Sequence, residues 1–193
     1  KDTGEAAIAS FIGRGISVKD GNNVQILSNT ISNATGEGIY IENIGTNSSN
    51  LVQSNTVTGM RSSLDTNLEG GIFVRNDKDG YIQIDRNTVK DNNLTSGTGY
   101  PASRGGNSND GIELNLCRGG VHTSAEVDFA DGRVGACSSN ATLTALITNN
   151  TITDLKGGAD GIDTNFGSKG YLDLTVTGNT ITGVGDEAFT LDA

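Results

Sequence analysis

A glycine followed by alternating apolar and variable residues recurs along this chain with its frame kept. It appears as Gly15-Ile16-Ser17-Val18, Gly38-Ile39-Tyr40-Ile41, Gly71-Ile72-Phe73-Val74, Gly111-Ile112-Glu113-Leu114 and Gly161-Ile162-Asp163-Thr164, and more weakly as Ala188-Phe189-Thr190-Leu191. Alternation of this kind predicts a short strand with one buried face. A second motif interleaves with it: Asn29-Thr30-Ile31, Asn55-Thr56-Val57, Asn87-Thr88-Val89, Asn150-Thr151-Ile152 and Asn179-Thr180-Ile181. Apolar residues usually stand three and five positions before the Asn, as in Val24 and Ile26, Ile82 and Ile84, and Leu174 and Val176. Each repeat therefore reads strand, bend, strand, loop, Gly-Ile strand, and the shortest runs 23 residues, from Gly15 to Gly38. Three short strands in a repeat of this length predict a parallel β-solenoid. One coil alone leaves its apolar residues open at both ends, and only stacking buries them. Successive coils would lie ~4.8 Å apart. The recurrent Asn suits a tight bend, since Asn tolerates left-handed backbone, and stacked Asn side chains can form a ladder.

Composition agrees. The chain has 28 Gly, one Pro and no Trp, and no window sustains a helical period. Its 193 residues fit one domain, 1–193. The net charge of −10 argues against nucleic acid, whose phosphates need a basic surface, and against an anionic membrane. No apolar run is long enough to span a bilayer.

Two loops are inserted around the strand at 109–116, at about 91–108 and 117–140. The first holds Pro101; the second holds a candidate hairpin across Asp131-Gly132. Cys117 and Cys137 bracket the second loop. Two cysteines without further ligands do not make a metal site, so a disulfide clamping the loop, in an oxidising compartment, is expected. At the ends, Ala6-Ala7-Ile8 sits nine residues before Gly15, as Asn29-Thr30-Ile31 does before Gly38. The chain is thus expected to begin part-way through a coil, and Lys1, which is no initiator, implies trimming or processing. Two incomplete ends that together approach one coil could stack head to tail into a filament.

The patterns Gly38-Ile39-Tyr40-Ile41-Glu42-Asn43 and Val24-Gln25-Ile26-Leu27-Ser28-Asn29-Thr30-Ile31-Ser32-Asn33 resemble the repeat of the right-handed parallel β-helix superfamily. That superfamily includes pectate lyases, polygalacturonases, phage tailspikes and many surface proteins. The resemblance covers nearly the whole chain outside the insertions. It implies an all-β fold, a right-handed single-stranded parallel β-helix of about six coils with two inserted loops. It also implies that the Gly-Ile strands form the first sheet, the usual floor of polysaccharide grooves.

On the outward face of that sheet, stacking would bring Asp110 near Asp160 and Glu113 near Asp163. Carboxylates ~5 Å apart repel, so such pairs bind a cation, hold a proton or stay well solvated. Calcium at Asp110, Glu113, Asp160 and Asp163 is one expectation. Acid/base work on a glycosidic bond by Glu113 and Asp163, with Arg75 one coil before Glu113, is another. Arg104, Arg118 and the lone His122 lie in the loops. Tyr40 and Phe73 are expected on the same exposed face, as cross-strand neighbours or as platforms for sugar rings. Ala159-Asp160-Gly161-Ile162-Asp163 and Gly185-Asp186-Glu187 are similar to polygalacturonase motifs, but an Asn-Thr pair is replaced, the second aspartate is Glu187, and the chain has neither Gly-His-Gly nor Arg-Ile-Lys. Asn-x-Ser/Thr sequons occur at Asn33, Asn47, Asn93, Asn140 and Asn149.

Two functions are open on this basis. One is a structural extracellular or cell-surface β-helix, either a filament subunit or an adhesin module, with no catalytic residue and no obligatory cofactor. The other is a carbohydrate-active protein, lyase-like or hydrolase-like, that binds a polysaccharide along an acidic groove on the first sheet.

Overall fold

The structure is a computed structural model, described here for residues 13–34, 36–60, 70–91, 110–117, 137, 139–155 and 159–192. The segment Ala6–Ile8, most of both insertions with Pro101, Arg104, Arg118, His122 and the 125–134 hairpin, and the sequon Asn93 lie outside these residues.

All regular structure among the described residues is strand. The first sheet runs β1 (Ile16–Lys19), β4 (Ile39–Glu42), β7 (Ile72–Asn76), β10 (Ile112–Leu116), β13 (Ile162–Phe166), β16 (Phe189–Asp192). The second runs β2 (Gln25–Leu27), β5 (Leu51–Gln53), β8 (Gly80–Asp85), β11 (Ala141–Thr148), β14 (Gly170–Thr177). The third runs β3 (Thr30–Ser32), β6 (Thr56–Thr58), β9 (Thr88–Lys90), β12 (Thr151–Thr153), β15 (Thr180–Thr182). Neighbours in each sheet are one repeat apart and parallel, the arrangement the recurring motifs predict. No helix in the described residues is long and apolar enough to cross a membrane.

Register follows the motifs residue for residue. Ile16, Ile39, Ile72, Ile112, Ile162 and Phe189 form one column of the first sheet. Ile26, Val52, Ile84, Ile147 and Val176 form one of the second. Ile31, Val57, Val89, Ile152 and Ile181 form one of the third. Away from the two ends these side chains are buried and make up one continuous core. A one-residue slip would turn every column outward, so burial enforces the register.

The glycine that opens each first-sheet strand is required by a close approach. A Cβ at Gly15, Gly38, Gly71, Gly111 or Gly161 would lie 2.5–2.8 Å from the carbonyl oxygen of the stacked strand and 2.3–2.6 Å from the Ile or Val of the third-sheet column. Both obstacles belong to the coil stacked on the glycine. Ala188 occupies the same position at β16, where no further coil is stacked among the described residues.

The bend differs from the expectation in one respect. The left-handed residue is the one before the ladder Asn: Ser28, Ser54, Arg86 and Asn149 have φ of 53–56°, and Gly178 has φ 68°. The Asn itself contributes its side chain. Asn29, Asn55, Asn87, Asn150 and Asn179 form an unbroken ladder in which each Nδ2 donates to the Oδ1 of the next at 2.9–3.0 Å. Each Oδ1 also accepts the preceding Asn's backbone N–H. From Asn55 onward, each Nδ2 donates again to a second-sheet carbonyl one coil back. A ladder can be buried because every polar group in it is satisfied.

Candidate functional site

The outward face of the first sheet collects the residues that carry chemistry. Alternation turns Ser17, Tyr40, Phe73, Glu113, Asp163 and Thr190 into one outward row, and Lys19, Glu42, Arg75, Asn115, Asn165 and Asp192 into a second. The ends of these rows are open, with Ser17 and Asp192 exposed. The middle is closed. Tyr40 is 1 %, Phe73 2 %, Glu113 6 % and Asn115 6 % exposed. The expectation that Tyr40 and Phe73 stand on an exposed face is therefore corrected: β4, β7 and β10 are covered on both sides, and alternation along a strand reports only which side a residue faces.

Three groupings follow along this face. At the β1–β4 end the Tyr40 and Phe73 rings stack with centroids 5.5 Å apart. The Arg14 guanidinium lies over Tyr40, 3.6 Å from the ring centroid, and its Nε donates to Glu37 Oε2 at 2.8 Å. The Tyr40 hydroxyl donates to Glu42 Oε2 at 3.0 Å, and Lys19 pairs with Glu42 at 3.4 Å. Burial, with the Glu42 charge second, pushes the Tyr40 phenol well above its ordinary range, so it stays protonated and donating. This grouping is a packed cation–π and ion-pair seal.

In the middle, β10 and β13 set Glu113 directly beside Asp163. One carboxylate oxygen from each of Asp110, Glu113 and Asp163 lies within 4.8 Å of the others. Asp110 is fully buried and Asp163 half-buried. Each carboxylate is oriented by its own neighbourhood. The Asp160 N–H donates to Asp110 Oδ1 at 2.7 Å, Asn115 Nδ2 to Glu113 Oε1 at 2.9 Å, and Asn165 Nδ2 to Asp163 Oδ2. Two carboxylates ~5 Å apart repel by on the order of 3 kcal/mol at an effective dielectric constant of ~20. With solvent largely excluded, that repulsion is relieved by a counter-charge or a shared proton. Gly70 admits the backbone here: its φ is +93°, and a Cβ would fall 1.9 Å from the Asp110 carbonyl oxygen. No side chain fits at that position.

At the far end the four-carboxylate expectation divides. Asp160 meets Asp110 through its backbone N–H, while its own carboxylate groups with the exposed Asp186 and Glu187. The Glu187 N–H donates to Asp160 Oδ1 at 3.0 Å, repeating the Asp110–Asp160 bond one coil on. A hydrogen bond with Asp186 and that residue's charge raise the Glu187 carboxyl above its ordinary range. Arg75 lies in register with Glu42 and Asn115, in the row beside Glu113 and not opposite it. The orienting roles of Asn115 and Asn165 were not read from the sequence. Their signal was the repeated acid-x-Asn spacing, Glu113-x-Asn115 and Asp163-x-Asn165.

Cys117 follows β10 and is bonded to Cys137, closing a loop with a sequence separation of 20 as expected. Both half-cystines are buried against the core.

Comparison with curated proteins and with solved structures gives no match. The family model described as "Right handed beta helix region" matches residues 14–193. The three parallel sheets, the one-repeat register and the all-strand coil agree with it, and this chain belongs to the right-handed β-helix family.

Proposed function

We propose that this chain is a structural β-helix module of an extracellular or cell-surface protein, of the adhesin type, in which the first sheet is a packed face and not a groove. The observation that carries this reading is the burial of Tyr40, Phe73, Glu113 and Asn115, the residues a polysaccharide would have to touch. A polymer cannot reach a carboxylate that the fold has closed over. The Cys117–Cys137 bond supports an oxidising compartment.

The test is a cleavage assay on pectic and other acidic polysaccharides, with and without calcium, comparing wild type with Glu113→Gln and Asp163→Asn. The expected result is no product above background from any of the three. Cleavage by the wild type that either substitution abolishes, with folding intact, would overturn the structural reading in favour of a carbohydrate-active protein.

A filament subunit is the second reading. Ala188 weighs against it, since a coil stacked in regular register would meet this Cβ as it would one at Gly161. Electron microscopy over a concentration series decides. Filaments that lengthen with concentration would favour self-stacking, and monomers at every concentration favour the module.

A further inference from the structure

We propose that Asp110, Glu113 and Asp163 form a calcium-binding site that ties β10 to β13 through the covered face of the first sheet. The site rests on the reading of that face as structural, and it deepens that reading by naming the ligand.

Three observations carry it. The first is geometric. The three carboxylate oxygens lie within 4.8 Å of one another. Oxygens that share one calcium ion, at 2.3–2.6 Å from it, are separated by at most roughly 5 Å, so one calcium ion comes within reach of all three carboxylates with small side-chain adjustments.

The second is an orphaned acceptor. Asn115 is more than nine-tenths buried, and its Oδ1 has no hydrogen-bond partner among the described residues. Its carboxamide is turned toward the cluster, with Nδ2 2.9 Å from Glu113 Oε1. Bond geometry then holds Oδ1 within roughly 5 Å of the same carboxylate oxygen. A buried amide oxygen with nothing to accept is costly unless a ligand completes it, and an amide oxygen is an ordinary calcium donor.

The third lies on the other side. Thr190 is the register partner of Asp163, and its Oγ1 is likewise buried without a hydrogen-bond partner among the described residues. The site is therefore three carboxylates flanked along the sheet by two neutral oxygens that lack partners. That is a hard-cation donor set, with room in a flexible coordination shell for further oxygens.

The orienting bonds act as an outer shell. The Asp160 N–H fixes Asp110, and Asn165 fixes Asp163, each through one carboxylate oxygen. Such bonds hold ligands in place before the ion arrives.

The test uses the whole chain, stripped with a chelator and then titrated with calcium chloride alone. Thermal unfolding by circular dichroism is the first readout and terbium luminescence the second. The expected result is a midpoint that rises with calcium, by roughly 5–10 °C at a hundredfold excess over Kd, with a smaller response to magnesium. Asp163→Asn and Glu113→Gln should each fold and lose the calcium shift. Asp186→Asn, in the exposed cluster at the far end, should keep the full shift. A wild type indifferent to calcium overturns the proposal, as does a shift that survives Asp163→Asn or is lost in Asp186→Asn. These outcomes stand apart from the cleavage assay: a calcium site without cleavage supports both readings, and cleavage without a calcium shift refutes both.

Discussion

Asn87→Ala should be among the most damaging single substitutions in the chain. The Asn87 side chain is 1 % exposed and sits mid-ladder. Its Oδ1 accepts from Asn55 N and Asn55 Nδ2, both at 2.9 Å. Its Nδ2 donates to Val52 O at 2.9 Å, Asp85 O at 3.2 Å and Asn150 Oδ1 at 3.0 Å. Removing the carboxamide spares Asn150 Oδ1, which still accepts the Asn87 backbone N–H. Asn55 Nδ2 still reaches Ile26 O. The Asn55 N–H loses the side-chain acceptor it bonds in the ladder, and Val52 O loses a donor. Each stranded buried group costs about 1–3 kcal/mol, so the expected loss is about 2–6 kcal/mol, or a midpoint lower by roughly 4–24 °C. Asn29→Ala is the matched control. Asn29 is half-buried at the start of the ladder, and water can replace most of what it loses, which limits the cost to about 1 kcal/mol. Reversible urea unfolding of both variants, followed by circular dichroism, measures the difference. If Asn87→Ala falls within about 1 kcal/mol of Asn29→Ala, the ladder is not a cooperative buried network and the reasoning fails.

Three further outcomes are expected. Gly111→Ala places a Cβ 2.5 Å from Gly161 O and 2.6 Å from Ile152, so it should cost about 2–3 kcal/mol of overpacking strain in urea unfolding, whereas Ala188→Gly should change stability by less than about 1 kcal/mol. Reducing Cys117–Cys137 should cost about 3 kcal/mol by releasing the loop, read as a lower midpoint in the presence of reductant that Cys117→Ser/Cys137→Ser reproduces. Asp85 supplies part of the acid sensitivity. Burial raises its carboxyl, but hydrogen bonds from Asn149, Thr148 and Gln53 and the Arg86 charge outweigh burial and hold it below the ordinary range. A depressed folded value means stability that is fully present above the unfolded value of about 4 and is lost as pH falls through the folded one. Unfolding midpoints between about pH 5 and pH 2.5 should therefore slope less steeply in Asp85→Asn than in wild type.

The strands, their order and their register are local consequences of this sequence. Each Gly-Ile or Asn-Thr-Ile unit states which residues turn inward, and repetition at a fixed frame states which units pair, because only in-register stacking buries Ile over Ile. The adjacency of Glu113 and Asp163 was legible for the same reason, and so was the Cys117–Cys137 clamp, since the two cysteines bracket one insertion. Tertiary structure decided what alternation cannot encode. It buried Tyr40, Phe73 and Glu113 on the outward face, because a residue's side of a strand is set locally but its burial is not. It placed the left-handed bend on Ser28, Ser54, Arg86 and Asn149 and left each ladder Asn to satisfy buried backbone groups. It also divided the roles of Asp160: the backbone N–H serves Asp110 on the coil before it, while the side chain serves Glu187 on the coil after, and only the three-dimensional stack assigns the two ends of one residue to different neighbours.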